Sequence, residues 1–352
     1  MRIAMVMSYL PVRADRGGVS YQVHALANLL VERGHTVVVY SVDERPDDAR
    51  YEVRTLPLPK WVRAESGLCH LVFPLLVARQ RFDGFDVLHL HGDDFLLLPG
   101  RTPRVRTFYG SALGEALSAT SWRRALVQAL FYPFEFVSGA LARRSVAISH
   151  VTCRYLPFVR EVVPCGVDLS RFRPGGCRSP VPSVLFVGMM EGRKQGRRLA
   201  QIFAEQVRSQ VPEAELWLVV PEPVEGPGLR WLGKVGTDRL VDLYRSAWVY
   251  ASASTYEGFG LPYLEAMACG TPVVSVPNPG ARELLDGGQA GVLADEKALG
   301  AALVRLLTNA SLRADLAAKG LRHVQAYSLE ASADRYERIY AELAHSQRSV
   351  LH

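Results

Sequence analysis

The chain alternates short, mainly apolar runs with longer stretches of helical period. Ile3–Met7, Thr36–Tyr40, Val87–His91 and Val105–Phe108 predict buried strands, and between the first two Val19, Val23, Leu26 and Leu30 recur at three- and four-residue steps, the spacing of an amphipathic helix. Gly34 stands where a helix-terminating C′ glycine is expected. Strand, helix, strand in this order is a βαβ unit, and its repetition implies a parallel sheet. The alternation pauses at Arg173–Pro182, where three prolines and two glycines can continue neither a helix nor a central strand. It then restarts with strands at Val184–Gly188, Leu216–Val220, Val249–Ala251 and Pro272–Val276, and with helices near Leu199–Val207, Leu240–Ala247 and from Leu261. The expected fold class is therefore α/β, with two Rossmann-like βαβ domains at residues 1–175 and 182–328 and a final helix over about 329–352. A single barrel is disfavoured. The expected ligand site is the cleft where two such sheets face each other.

Composition narrows the partners. The 352 residues are 49% hydrophobic and 22% charged, an ordinary globular balance that excludes global disorder. Lysine plus arginine exceed acidic residues by 41 to 35, a net +6, and only Lys60, Lys194, Lys234, Lys297 and Lys319 are lysines. Arginine forks suit phosphate or carboxylate. No base-reading module is visible, so nucleic acid is not an expected partner. Cys69, Cys153, Cys165, Cys177 and Cys269 form no Cys-x-x-Cys pair, which fits neither a disulfide framework nor a zinc site. No signal peptide and no run long enough to span a bilayer are recognised, and the expected location is the cytoplasm.

The loops carry the chemistry. Ser8-Tyr9-Leu10-Pro11 follows the first strand without Gly-x-Gly-x-x-Gly, so the dinucleotide fingerprint is absent, although Asp43 and Glu44 follow the second strand. Gly17-Gly18 precede the first helix, where a glycine pair lets backbone amides approach an anion or simply makes a tight loop. The most informative segment is Ser254–Val274. Gly258 and Gly260 precede Pro262, which is placed as the first helical residue, so the helix start is stripped of side-chain bulk and suits a phosphate. Glu257 lies before this turn, and Glu265 is expected in the first turn of the helix. Two carboxylates beside an anion site suit hydroxyls on either side of it, as in a nucleotide sugar. Read singly, Glu265 could complement the helix dipole and Glu257 could cap the loop.

These residues resemble a known family. Glu257 through Glu265 is similar to the E-x(7)-E motif of the retaining family 4 glycosyltransferases, inside a stretch resembling their "EGFGLPxLEAMACGTPVV" signature. Gly17-Gly18 with Glu32–Val37, Asp86–His91, Val163–Asp168 with Phe172 and Pro174, and Leu232-Gly233 with Leu240, Leu243 and Tyr244 resemble further family motifs in the same order. The resemblance implies a GT-B fold, a last helix that crosses back onto the N-terminal domain, and no metal. No Asp-x-Asp occurs in the sequence. It also implies that Glu265 binds the ribose and that Glu257 contacts the sugar, with backbone amides of Gly258, Phe259 and Gly260 and the neighbouring Leu261. Gly17, Gly18, Gly188 and Lys194 are implied to lie against the donor phosphates and sugar.

Three departures stand out. Met189 occupies the family's arginine position and Gln195 follows Lys194 in place of glycine, so Arg193 or Arg197 is expected to supply the missing charge. Tyr109 replaces the histidine of a "T-x-H-G" loop, which leaves the choice of sugar open, and Cys165 replaces an asparagine. The expected reaction is transfer of a hexosyl unit from a nucleotide-sugar donor to the hydroxyl of a small-molecule, lipid-linked or saccharide acceptor. Retention would come by same-face attack, with Lys194 and arginine stabilising the leaving diphosphate. His91 is the candidate on the acceptor side, against a strand-end histidine satisfied by backbone groups. An epimerase, a phosphorylase and a non-catalytic sugar-nucleotide binder are the alternatives. Segments Trp61–Phe82 and Trp122–Arg144 mix apolar residues with arginine, which suits either peripheral contact with an anionic membrane or, as preferred, core helices with a solvated face.

Overall fold

The computed structural model describes residues 1–12, 17–63, 67–119 and 121–350. Two compact units emerge. The first comprises Met1–Ala116, Leu126–Gly166 and the chain from Leu329, and the second comprises Leu117–Ala125 and Val167–Ser328.

The first unit runs β1 (Arg2–Val6), α1 (Gly18–Glu32), β2 (Thr36–Ser41), β3 (Glu52–Thr55), α2 (Cys69–Ala78), β4 (Val87–Leu90), β5 (Arg104–Phe108), α3 (Ala112–Leu117, all but its last residue), α4 (Trp122–Leu141, from Leu126 onward), β6 (Arg144–Ala147), α5 (His150–Tyr155) and β7 (Glu161–Val162). The second runs β8 (Ser183–Val187), α6 (Gly196–Ile202), β9 (Glu215–Val219), β10 (Leu229–Trp231), α7 (Thr237–Ser246), β11 (Val249–Ser252), α8 (Leu261–Ala268), β12 (Val273–Ser275), α9 (Pro279–Leu284), β13 (Val292–Leu293), α10 (Glu296–Thr308) and α11 (Ala310–His323). The final helix, α12 (Leu329–Val350), rejoins the first unit.

Among the described residues the first sheet has seven strands in the order β3-β2-β1-β4-β5-β6-β7, and the second has six in the order β10-β9-β8-β11-β12-β13. All the pairings are parallel. Each order reverses once, between β1 and β4 and between β8 and β11. Such switch points open a crevice beyond the carboxyl ends of the strands, where open α/β sheets bind ligands. The central strands are apolar on both faces because helices cover both. Ile3, Met5, Val37 and Val39 pack with α1 and α12, while Ala4, Val6, Val38 and Leu88 pack with α2. In the second unit Val184, Phe186, Leu216 and Leu218 pack with Leu199, Phe203, Leu303 and Leu307. The helix expected over Leu199–Val207 is regular only to Ile202, and a wider π turn carries it through Phe203–Val207.

Gly34 ends α1 at φ 87°, its amide donating to the Val31 carbonyl, as a C′ glycine should. The proline-glycine stretch behaves differently from a linker. The chain passes from the first unit to the second at Gly166–Val167, and residues 173–182 are part of the second unit. The Arg178 guanidinium reaches the Ala247 and Gly270 carbonyls and lies 2.8 Å from Thr271 Oγ1, and the Ser179 amide donates to Ser246. Prolines deprive this segment of its own ladder, so its polar groups are satisfied by packing against α7 and α8.

α12 is held in the first unit by polar anchors. The Tyr340 hydroxyl lies 2.6 Å from His89 Nδ1, and the Tyr336 hydroxyl lies 3.0 Å from Thr107 Oγ1. Arg33 pairs with Asp334 and Glu337, and His35 also bonds Glu337.

The two apolar segments flanked by arginine differ from each other: α2 buries Cys69, Phe73 and Val77 in the core and exposes Leu71 and Leu75, as a core helix with a solvated face should, whereas α4 does not. Of the twenty residues of α4, only Ser138 and Gly139 are buried. Within Trp122–Arg144 the helix, α4, is therefore a surface helix carrying apolar side chains, and Arg144 already belongs to β6. In Trp61–Phe82 the helix spans only Cys69–Ala78, and residues 64–66 lie outside the described residues.

Candidate active site

The second unit brings several of the sequence-predicted residues to its switch point. β8 ends at Val187 and the chain turns through Gly188 into a single tight turn, Gly192–Lys194, before α6. Gly196 lets this turn close over the strand end, since a Cβ there would sit 2.8 Å from the Phe186 ring and 2.9 Å from the Met189 carbonyl oxygen. Gln195 takes the left-handed conformation at φ 53°, which explains why glycine is favoured at this position, and its side-chain amide donates to the Gly192 carbonyl at 2.8 Å.

That turn aims Arg193 and Lys194 at the loop after β11. The Thr255 amide donates to the Arg193 carbonyl at 2.9 Å, which ties the two loops together. Lys194 Nζ lies 2.6 Å from Glu257 Oε1, and Arg193 Nη1 lies 3.0 Å from Glu257 Oε2 while donating to the Tyr256 carbonyl. Glu257 is only 5% exposed. Burial alone would push its carboxyl up, but Lys194, then Arg193, together with hydrogen bonds from Lys194 and Ser254, outweigh burial and hold it below the ordinary carboxylate range. Glu257 is thus an ionised, doubly neutralised group. Of the two candidate arginines, Arg193 shares Glu257 with Lys194, whereas Arg197 is exposed and paired with Glu191. Met189, at the family's arginine position, is 52% exposed.

Glu265 is the fifth residue of α8, a turn later than expected, so it is too deep in the helix to act on its dipole. Leu261 rather than Pro262 is the first helical residue. The Glu265 carboxyl is pushed up to about 7 by burial, with the Tyr244 hydroxyl at 2.8 Å and the Lys194 charge acting in the opposite sense. Lys194 therefore acts on both glutamates, ion-paired with one and electrostatically coupled to the other.

Between them Gly258-Phe259-Gly260 leads into α8. Gly260 is the N-cap, at φ 113°, and places no side chain over the first turn. A neighbouring helix supports the loop: a Cβ on Gly280 would lie 2.4 Å from the Phe259 carbonyl oxygen and 2.7 Å from that of Glu257. Asn278, the N-cap of α9, accepts from Ala281 and donates to the Ser254 carbonyl and the Tyr263 hydroxyl at 2.9 and 3.0 Å. Tyr263 in turn meets Ser252 and Ser275 at 3.2 and 3.1 Å. This buried network beneath the loop escaped the sequence reading. Its members are ordinary-looking residues that only the fold brings together.

The remaining candidates lie in the first unit. Gly17 and Gly18 are exposed at the start of α1, and nothing lies within 4 Å of a Cβ built on Gly17. His91 follows β4 and is 4% exposed. Its Nδ1 lies 2.9 Å from the Tyr109 hydroxyl, not on a backbone group as the plain reading expected, and its buried Nε2 has no partner. Burial, then His89 and Arg106, drive its pKa well below the ordinary histidine range, so it is neutral. Cys165 is buried, which pushes its thiol up and leaves it inert.

Two doubly wound parallel units, one with paired glutamates and a lysine-arginine pair at its switch point, have the form of a GT-B glycosyltransferase. Comparison with known proteins agrees. The "Glycosyltransferase Family 4" model matches residues 16–171, and "Glycosyl transferases group 1" matches residues 181–309. The chain belongs to glycosyltransferase family 4. A D-inositol 3-phosphate glycosyltransferase of Corynebacterium jeikeium is 31% identical over 217 residues, 52% of each chain, so the match spans about half of that relative's length. A phosphatidyl-myo-inositol mannosyltransferase of Mycolicibacterium smegmatis is 28% identical over 385 aligned positions, covering 97% of this chain and 93% of that one. Among solved structures, sucrose-phosphate synthase of Thermosynechococcus elongatus shares the fold at a TM-score of 0.79 with 22% identity, over 98% of this chain and 99% of the other.

Proposed function

We propose that the protein transfers a hexosyl unit from a nucleoside-diphosphate sugar to an acceptor hydroxyl, with retention at the anomeric carbon and without a metal ion. The observation that carries this is the charge arrangement around α8. Two carboxylates flank a glycine-rich helix start, and Lys194 and Arg193 stand beside it. An anion at that helix start would meet the amides and the two cations, and the glutamates would take hydroxyls rather than the anion.

In this reading Glu265 accepts hydrogen bonds from the ribose diol and Glu257 from the hexose. As the bond from the anomeric carbon to the β-phosphate oxygen breaks, the diphosphate gains negative charge. Lys194 and Arg193 stabilise it, which does the work elsewhere given to a metal. The acceptor hydroxyl attacks from the same face and its proton passes to the departing phosphate. Glu257 keeps the two cations in place before the donor arrives. Gly17 and Gly18 serve the donor from the first unit. His91, through its unpartnered Nε2, is the candidate for the acceptor, whether small molecule, lipid-linked or saccharide. The proposed location is cytoplasmic.

A panel of UDP, GDP, ADP and dTDP with their sugars, read by thermal shift, identifies the donor through stabilisation by linkage. Product anomers are then assigned by NMR in the presence of EDTA. Glu265→Ala is expected chiefly to weaken donor binding and Glu257→Ala to lower turnover. Wild-type transfer by both variants would place the site elsewhere. A labelled donor epimerised without an acceptor would favour an epimerase, and binding without nucleotide release a non-catalytic role.

A further inference from the structure

The first unit carries an apolar surface that its own core does not use. Along α4, Leu126, Leu130 and Val137 are 52%, 63% and 43% exposed and recur at helical spacing on one face. Along α2, Leu71 and Leu75 are 47% and 46% exposed. The segment after β4 links the two helices: Phe95 packs on Phe134 of α4 with ring centroids 4.4 Å apart, and Leu98, 76% exposed, shares a pocket with Ala78 at the end of α2. Contiguous apolar surface of this kind marks an interaction site in a water-soluble fold.

Charge indicates what covers it. α2 contains no acidic residue, and the only one in α4 is Glu135. Glu135 is turned inward, accepting from the Ser111 hydroxyl at 3.0 Å and the Ala112 amide at 2.9 Å. The exposed charges that belong to or follow these helices are mainly arginines, with Asp83 as the acidic exception: Arg79 and Arg81 follow α2, Arg143 and Arg144 follow α4, and Arg123 and Arg124 lie in its first turn, the Arg123 guanidinium 5.6 Å over the exposed ring of Trp122. Leucines facing outward with a tryptophan at one end and arginines at the edge match the boundary of a bilayer, where apolar side chains enter the acyl region and cations meet lipid phosphates. A second copy of this chain would bring the same arginines together, which disfavours self-association.

We propose that the exposed face of α2 and α4 docks the first unit peripherally on an anionic lipid bilayer. This surface is independent of the donor chemistry, so either conclusion can fail without the other.

The test is co-sedimentation of the full chain with vesicles of phosphatidylcholine alone and of phosphatidylcholine with phosphatidylglycerol, at low and high salt. The expected result is binding to the anionic vesicles that weakens at high salt. The double variant Leu126→Glu/Leu130→Glu loses at least about ten-fold in partition, since it sets two charges at the apolar contact. Arg123→Ala loses about five-fold at low salt, the size of one basic contact at an anionic surface. Both variants alter exposed side chains, and an unchanged circular dichroism melt verifies their fold. No binding to phosphatidylglycerol vesicles at low salt overturns the proposal. So does undiminished binding by the double glutamate variant. So does a dimer in sedimentation velocity that the same variant dissolves, because a second copy would then be the occupant.

Discussion

Glu265→Gln separates the cost of the site to the fold from its value to a ligand. The carboxyl has moved from 4.5 up to about 7 because burial disfavours its charged form. Between those pH values the folded chain holds a proton that the unfolded chain has released, so stability falls as pH rises through the window. At 1.36 kcal/mol for each tenfold change in proton affinity, with some discount for its partial exposure, ionising Glu265 costs the fold about 2–3 kcal/mol by pH 8. Glutamine keeps the shape and still accepts from the Tyr244 hydroxyl, which stands 2.8 Å from the carboxylate. Glu265→Gln is therefore expected to match the wild type in urea unfolding at pH 4.5 and to be about 2–3 kcal/mol more stable at pH 8. The same variant should bind the donor nucleotide more weakly, because a carboxylate is the stronger acceptor for a diol. Calorimetry of nucleotide binding near pH 6.5, in buffers of different ionisation heat, should show the wild type releasing part of a proton and Glu265→Gln releasing none from this site. A stability difference that does not change with pH would refute the burial argument. A variant that gains stability yet binds nucleotide as before would refute the ribose role alone.

Lys194→Met leaves Glu257 paired with Arg193; transfer is expected to fall at least about a hundred-fold, the scale of a lost electrostatic stabiliser, measured as steady-state kcat. Gly260→Ala introduces a Cβ 2.6 Å from the Tyr263 ring at a backbone angle that alanine resists, and should cost about 1–3 kcal/mol in urea unfolding along with most donor binding. Tyr340→Phe removes the hydroxyl 2.6 Å from His89 Nδ1 and should destabilise the first unit by about 1–3 kcal/mol while sparing nucleotide affinity, read by calorimetry.

Legibility followed burial. β1, β2, β4, β5, β8 and β9 stood out because both their faces are covered, so their sequences are apolar runs. β3, β7, β10 and β13 are short and lie near the sheet edges, where polar residues are tolerated, and no periodicity announced them. Glu257 and Glu265 were visible because glycines and a proline between them have few other uses. Tyr263 and Asn278 were not, because a tyrosine under a loop differs from any core tyrosine only by the partners the fold brings to it. α4 shows the limit from the other side. Its spacing defines an apolar face equally well whether a sheet covers it or nothing does, and the core assignment was the one that failed.

The position of α12 bears on how the chain acquires its structure during synthesis. Strands β1 to β7 leave the ribosome first, yet the tyrosines that bond His89 and Thr107 arrive only after every residue of the second unit has been made. The first unit cannot complete its core before the second has been made, although domains generally fold in order from the amino terminus. The later unit can close while the earlier one, its sheet covered by α1, still waits for the part of its core that Ala333, Tyr336, Ile339 and Tyr340 complete. A stop codon or proteolytic cut near residue 329 would therefore injure the half of the molecule most distant from it in sequence, and a chaperone guarding the nascent chain would find its substrate in the first strands rather than the last.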